Sequence, residues 1–316
     1  MSTDTLRKPD FFIVGHQKCG TTALYEMLKR HPQIYLPDVK EPRYFVPELL
    51  RPDRKLSTLD GYLELFAQAG HSQRAGEASP QYIRSRTAAR AIADMQPAAR
   101  IVAILREPAS FLRSFHLQMV QSNIEPQRDL AKALSLVEAR RAGEHLPRRC
   151  RNREPLLYTD HVRYVEQLER FHAVFDPEQI MVVIYDDFRR DNEQTVRDVL
   201  RFLGVADGAP IEKVQTRPLK AVRLQPLRAL ADSARTARQH PESASAFGRS
   251  VAALTPSLLR SERFRSRWRS LVYKQPPAPD EGLMLELRRR FQGEVQALSR
   301  HLDRDLVTQW GYDQLD

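Results

Sequence analysis

Gly15-x-x-Lys18-x-Gly20-Thr21-Thr22 follows directly on an apolar run, Phe11-Phe12-Ile13-Val14, and leads into helix-forming sequence up to Arg30. Such a loop suits an oxyanion of phosphate size. The first amides of a helix have no intrahelical partners and sit at its positive end. Gly20 lets the backbone approach closely, the two threonine hydroxyls add donors, and Lys18 supplies a movable cation. The lysine precedes the second glycine by two positions, whereas the nucleotide-triphosphate loop places it after that glycine. A phosphotransferase acting on ATP or GTP is therefore the alternative reading of this loop.

A second anion constellation is Arg106, at the end of the strand-like run RIVAIL, with Ser114 eight residues on. A strand-end arginine can grip a phosphate through two N–H groups, and a serine two turns into the next helix can add a hydroxyl to it. Taken singly, Arg106 reads equally as a structural ion pair and Ser114 as an ordinary helix residue. Candidates for proton transfer are Glu41 and Glu77, each near a strand end, and His116 just beyond Ser114. Glu41 has a plain structural reading as an ion pair with Lys40 or Arg43. Cys19 stands at a helix N-terminus, which predicts a lowered thiol pKa, although its side chain is expected to pack under the loop. Asp186 and Asp187, at a strand end, are read as caps of the next helix rather than metal ligands.

The elements that must position these groups follow from hydrophobic periodicity. Strands are predicted at Phe11 to Val14, Ile34 to Leu36, the stretch ending at Gly76 to Ala78, Arg100 to Leu105 and Ile180 to Ile184. Helices are predicted at Thr21 to Arg30, Leu59 to Ala69, Thr87 to Met95, from Pro108 onward, 129 to 141, Tyr158 to Phe175 and Asn192 to Leu203. Strands alternating with helices argue an α/β fold with a central parallel sheet covered on both faces. Ligands of such sheets bind at the carboxyl ends of the strands, where Gly15 to Thr22, Glu41 and Arg106 would lie. Beyond residue 205 the pattern changes to loops and basic helices, ending in a long amphipathic helix, Glu281 to Leu302.

The chain of 316 residues can bury a large core, and we read it as one domain, residues 1–316, with a core at 9–205 and a basic helical cap at 206–316. Two cysteines give no disulfide framework, and no run of 18 apolar residues occurs, so a soluble cytoplasmic protein is expected. The net charge of +10 is regional: Gln215 to Gln275 holds 13 Lys or Arg against 3 Asp or Glu. That stretch is either a solvated helical surface or an anion-facing one, and a non-catalytic binder of nucleic acid or another polyanion is the rival from a different class. Trp268, among Arg263, Arg265, Arg267 and Arg269, is read as an anchor of an amphipathic helix, and no nucleic acid is expected as partner.

Taken together, the motifs resemble a known family. Gly15-His16-Gln17-Lys18-Cys19-Gly20-Thr21-Thr22-Ala23-Leu24 resembles the 5′-phosphosulfate loop of sulfotransferases that use 3′-phosphoadenosine 5′-phosphosulfate (PAPS), and Arg106-Glu107-Pro108 with Ser114 resembles their 3′-phosphate motif. Lys40-Glu41-Pro42-Arg43-Tyr44-Phe45 and Gly76-Glu77-Ala78-Ser79-Pro80-Gln81-Tyr82 are similar to segments of the carbohydrate-type members, including heparan sulfate N- and 3-O-sulfotransferase domains and their bacterial relatives. The likeness runs over roughly residues 10 to 205, in order and at the usual spacing.

The resemblance implies that Gly15, Gln17, Lys18, Cys19, Gly20, Thr21 and Thr22 hold the phosphosulfate, and Arg106 and Ser114 the 3′-phosphate. It implies Glu41 as general base; because many cytosolic sulfotransferases use histidine, His116 and His16 stand beside it. Lys40, Arg43, Tyr44, Glu77, Ser79 and Tyr82 fall in the segments expected to face the acceptor, a small molecule or glycan that may be anionic or carrier-bound. The family's Lys-Gly-Arg element over the adenine is missing, and Lys220 or Arg223 is assigned in its place. Sulfuryl transfer is an in-line displacement that depends on positioning and on charge stabilisation at the leaving oxygen, so no metal is required. Lys18 suits that oxygen, and a carboxylate suits the attacking hydroxyl or amine, which must lose a proton.

Overall fold

The computed structural model describes residues 6–47, 58–147, 150, 152–212, 221–222, 273–274 and 276–315. Five parallel strands form the sheet: β1 (Phe11–Gly15), β2 (Ile34–Tyr35), β3 (Arg74–Ala78), β4 (Arg100–Leu105) and β5 (Ile180–Ile184), in the order β2-β3-β1-β4-β5. β1 and β4 lie inside the sheet, in register from Phe11 with Arg100 to Gly15 with Ile104. Their sequences are near-continuous apolar runs because both faces are covered; β1 is buried along its whole length.

Between them run α1 (Thr21–Leu28), α2 (Leu59–Leu63), α3 (Ala88–Met95), α4 (Pro108–Gln121), α5 (Leu130–Ser135), α6 (Val137–Arg141), α7 (Tyr164–His172), α8 (Tyr185–Arg190) and α9 (Asn192–Phe202). Because every strand is parallel, the turns into α1 and α4 and the turn leaving β3 open on the same edge of the sheet, the edge where the anion motifs were expected.

Three helical expectations change. The predicted helix at 129 to 141 is broken at Leu136 into α5 and α6. In α6 the Arg140 side chain is buried and makes a paired contact with the buried Glu125 at 2.6 and 2.9 Å, while the Tyr158 hydroxyl donates to the same carboxylate at 3.0 Å. Breaking such a pair from one side costs about 3–5 kcal/mol, so the contact ties α6 to the segment of Glu125. Tyr158 to Phe175 is a 3-10 turn at Tyr158–Val162 followed by α7, and the Leu59 piece is α2 followed by a 3-10 turn at Glu64–Phe66.

After α9 come a two-residue antiparallel pair, β6 (Ala221–Val222) with β7 (Tyr273–Lys274), then α10 (Glu281–His301) and α11 (Leu306–Gln309). β6 lies against α4. Leu287, Phe291, Val295 and Leu298 of α10 and Tyr312 beyond α11 enter the same apolar core as the sheet. Polar contacts fasten this end too: the Trp310 indole donates to Asp186 at 3.0 Å, and Arg304 and Gln309 bind Asp187. The two aspartates thus hold α11 rather than capping α8. Lys220, Arg223, Trp268 and the arginines around it lie outside the described residues.

Candidate active site

The turn from β1 into α1 is built around two glycines. Gly15 ends β1 at φ +131°, where a Cβ would sit 2.5 Å from the Ile104 carbonyl oxygen of β4, so no larger residue fits. Gly20 is the N-cap of α1 in the left-handed region, φ +90°, and no side chain caps the helix there. The first amides of α1 are therefore open to an anion. Lys18, also left-handed at φ +70°, has no ion pair among the described residues. Burial and the charge of Arg106 hold its ammonium below the ordinary lysine value. Thr21 is buried and Thr22 exposed.

Cys19 corrects an expectation. Its side chain is fully buried, and burial pushes the thiol up to about 12, outweighing the positive charge of Arg106 and the other groups around it. Only its backbone remains available to a ligand. His16 is likewise removed from proton chemistry: its Nε2 meets Gln167 Oε1 at 2.8 Å, and burial, with the charge of Arg84, drives its pKa to about 3. Both side chains support the loop from beneath.

Arg106 follows β4 directly. Its Nη1 donates to the Lys18 carbonyl at 3.1 Å, its Nε to Ser110 Oγ at 3.1 Å, and its guanidinium lies over the Tyr185 ring at 4.7 Å. The two anion motifs of the sequence are thereby joined across the sheet edge. Ser114 is 2 % exposed, and its Oγ is buried without a hydrogen-bond partner among the described residues. A hydroxyl in that state is costly unless something bonds it, which fits the 3′-phosphate of PAPS. The N-terminus of α4 itself is closed, because Glu107 accepts from the amides of Ala109 and Ser110. His116 is withdrawn as a candidate base: it is buried, its Nε2 lies 2.8 Å from the Gln127 carbonyl, and burial lowers its pKa.

Glu41 sits at the same edge. Its amide donates to the Ala78 carbonyl at the end of β3, 3.1 Å, and its carboxylate pairs with Lys40 at 3.1 Å and with Arg43. Burial pushes the carboxyl up, but Lys40 and Arg43 outweigh it and hold it below the ordinary glutamate value. The ion-pair reading of Glu41 is thus correct as geometry, and it keeps the group ionised at neutral pH. Arg43 also donates its amide to Ser79 Oγ at 3.0 Å, and Tyr44 stacks on Tyr62 of α2 at 4.7 Å.

Glu77, Ser79 and Tyr82, expected to face the acceptor, are buried instead. Glu77 accepts from Tyr62 at 2.9 Å, Tyr82 at 2.7 Å and Ser79 at 2.6 Å. The strand period explains it: Glu77 belongs to a β3 covered on both faces, and sequence alone does not say that hydroxyls from α2 and the next turn will meet it there. Two residues that sequence reasoning passed over come forward in their place. Gln81 and Arg84, on the 3-10 turn Pro80–Arg84, line a small cavity of about 10 Å³, room for a single water, together with His16, Gln17, Phe115 and His161. Gln81 Oε1 is buried there without a hydrogen-bond partner. Their only signal in the sequence was position, just past the strand-end Gly76 to Ser79.

Among the described residues there is no helix long and apolar enough to cross a membrane and no cluster of His, Cys, Asp or Glu suited to a metal ion. Residues 8–249 match the family model for the sulfotransferase domain. The human bifunctional heparan sulfate N-deacetylase/N-sulfotransferase 3 is 29% identical over 207 residues, covering 63% of this chain and 22% of that protein. Human carbohydrate sulfotransferase 15 is 26% identical over 246 residues, covering 62% of this chain and 44% of that protein. The chain thus matches between a fifth and a half of the length of these relatives. The crystal structure of a sulfotransferase from Alicyclobacillus acidocaldarius has the same fold, with a TM-score of 0.66 at 24% identity over 96% of this chain and 99% of that one. The match over most of the chain, falling on the turn that bears Lys18 and on Arg106 and Ser114, makes this protein a member of the sulfotransferase domain family, whose sulfuryl donor is PAPS.

Proposed function

We propose that this sulfotransferase moves a sulfuryl group from PAPS to a hydroxyl or amine of a glycan or small molecule, releasing adenosine 3′,5′-bisphosphate. The observation that carries the reading is the uncapped start of α1 beside Lys18, which has no ion pair among the described residues. Amides 21 and 22 and the Lys18 ammonium would take the 5′-phosphosulfate, Arg106 and the unpartnered Ser114 hydroxyl the 3′-phosphate. PAPS supplies the sulfuryl group with an already good leaving phosphate; the protein's part is alignment and charge. Lys18 faces the oxygen on which negative charge grows, in a partly buried setting where one cation counts for more than in water.

At the other end, Glu41 takes the acceptor's proton. Its pairing with Lys40 and Arg43 keeps it ionised and therefore able to accept at neutral pH. The same pairing lowers its basicity, so proton transfer draws its drive from the progress of sulfuryl transfer, as the attacking atom becomes acidic. Beside Gln17, the buried Gln81 Oε1, without a partner among the described residues, supports an acceptor contact there, since it can take a hydrogen bond from a hydroxyl or amine.

A glycan acceptor is favoured by the likeness to heparan sulfate and carbohydrate sulfotransferases, and an anionic one by the basic stretch 215–275, whose arginines all lie outside the described residues. We read the chain as one domain with residues 206–316 as cap, supported by the core that α10 shares with the sheet. A cytoplasmic site of action is supported by both cysteines being free.

Incubation with labelled PAPS and a panel of unsulfated heparan-type oligosaccharides, other glycans and phenols, read by mass spectrometry, tests the proposal. A sulfated product is expected. Thermal-shift titration should show stabilisation by adenosine 3′,5′-bisphosphate and none by ATP; the reverse result would turn the reading to phosphoryl transfer. Charge reversal of Arg263, Arg265 and Arg267 should raise acceptor KM and change its salt dependence if the acceptor is anionic.

A further inference from the structure

We infer that Glu77 is a positioning residue for Glu41: its carboxylate orients three hydroxyls, and through them it clamps the segment of residues 41–45 on which Glu41 is carried. The inference rests on the reading of Glu41 as proton acceptor. Each hydroxyl has a single proton to give. Ser79 spends its proton on Glu77 Oε2 at 2.6 Å, which leaves its lone pairs to the Arg43 amide at 3.0 Å. Tyr82 donates to Glu77 Oε1 at 2.7 Å and turns the back of its oxygen to the Phe45 amide at 3.5 Å. Tyr62 donates to the same Oε1 at 2.9 Å, and its ring stacks on Tyr44 with 14° between planes.

Residues 43, 44 and 45 are thus each held by a side chain that Glu77 aims. The clamp has something to hold. Glu41 and Arg43 both lie in the left-handed region, at φ 58° and 59°, a conformation that persists in side-chain-bearing residues only where the surroundings impose it.

Three donors and no donor-seeking partner call for a group that only accepts. An ionised carboxylate does so; a protonated acid or an amide would set an N–H or O–H against one of the hydroxyls. Burial pushes Glu77 up to about 7, against the three hydrogen bonds and with the negative charge of Glu41 adding to the rise. The groups facing it are Tyr62 from α2, Ser79 and Tyr82 from the turn after β3, Tyr25 from α1, and Glu41 with its partners Lys40 and Arg43. Burial keeps the three tyrosines protonated, and Glu41 titrates below the ordinary glutamate value. The clamp therefore sets as pH rises through about 7, in a range where Glu41 has already ionised.

The test compares the full chain with its Glu77→Gln and Glu41→Gln variants, using adenosine 3′,5′-bisphosphate affinity, PAPS turnover on the oligosaccharide panel and in buffer alone, and the ¹⁵N amide resonances of Arg43 and Phe45 between pH 5.5 and 8.5. In the wild type both amides should shift with a midpoint near 7, and kcat should rise over the same step. Glu77→Gln should silence both steps, keep the bisphosphate affinity within about twofold, and lower kcat about 10- to 100-fold, the effect of a misplaced reacting group. Glu41→Gln should lose turnover yet keep the amide titration. Wild-type amides that stay still, or a Glu77→Gln enzyme with the wild-type kcat and pH profile, would overturn the inference. A Glu41→Gln enzyme of wild-type activity overturns the base reading instead, and with it any catalytic meaning of the clamp. Should Glu77→Gln not fold, Tyr82→Phe takes its place and must quiet the Phe45 amide while sparing Arg43.

Discussion

At the end of β1 the chain enters α1 through Gly20, which has no side chain to offer, and the first amides of the helix are left without a cap. At the end of β4, the adjacent parallel strand, it enters α4 through Glu107, whose carboxylate takes the amides of Ala109 and Ser110 and the Tyr312 hydroxyl at 2.7 Å. The two turns share strand direction and sheet edge. One leaves its positive end uncapped, and the other spends it on the protein's own acid and on docking the C-terminal segment. Anion binding at a helix N-terminus therefore depends on what stands at the cap, and the helix alone does not create it. On the reading proposed above, the ligand contacts of the second turn fall to side chains, Arg106 before the cap and Ser114 beyond it.

Substitutions can break this contrast, and the largest effect is expected at Lys18. Lys18→Ala should lower kcat by about 10²–10³-fold, the loss typical of one charge-stabilising donor. Because the ammonium makes no ion pair among the described residues, Tm should stay close to that of the wild type. A variant that unfolds instead would show the lysine to be structural.

Glu107→Ala should show the opposite profile. A lost cap costs about 0.5–2 kcal/mol. The buried Tyr312 hydroxyl left without its acceptor adds about 1–3 kcal/mol. Urea unfolding should register the loss, with bisphosphate affinity changed far less. Strong loss of affinity at unchanged stability would mean that this turn, too, serves the ligand.

The support beneath the open turn can be read by pH. His16 has a folded pKa of about 3 against an ordinary value of 6.5. Between those values the unfolded chain binds a proton that the folded one refuses, so stability is present above pH 6.5 and is lost on acidification, by up to about 1.4 kcal/mol per pH unit. Glu77 acts with the other sign: its raised pKa makes stability fall as pH rises from 4.5 to about 7. Comparing wild type with His16→Asn by urea unfolding from pH 4 to 7 cancels the Glu77 contribution and should isolate the His16 slope. Parallel curves would show that the ring is not held neutral.

The smallest effect is expected at Ser114→Ala. Bisphosphate affinity should fall by about 1 kcal/mol, roughly fivefold, the worth of one hydrogen bond. Stability should not fall, since the hydroxyl has no partner among the described residues to lose. Reduced stability with unchanged affinity would assign Ser114 to the core.

The sheet was legible from sequence because each buried strand is a short apolar run set between helix signals, and the anion turn was legible because glycine, lysine and threonine at that spacing have few other uses. Helix continuity was less so: the stretch 129 to 141 is interrupted at Leu136, and Arg140 beyond it turns inward to Glu125, a partner 15 residues away in sequence that local periodicity does not reveal. The acceptor side was read least well. Glu77, Ser79 and Tyr82 have the polarity of surface residues and were placed at the site, whereas they bond to one another below it. Gln81 and Arg84 came to the cavity only through the turn that follows β3.

By itself, the sequence determined the order of the strands along the chain and the glycine turn that carries Lys18 from β1 into α1, because these depend on residues close together in the chain. Tertiary structure alone decided which polar groups reach a ligand. His16, Cys19 and His116 have reactive side chains, yet burial makes the thiol a weaker acid, and the imidazoles are buried and engaged by Gln167 Oε1 and the Gln127 carbonyl. The reason is physical: reactivity is set by desolvation and by partners from distant segments, and neither is written in local sequence.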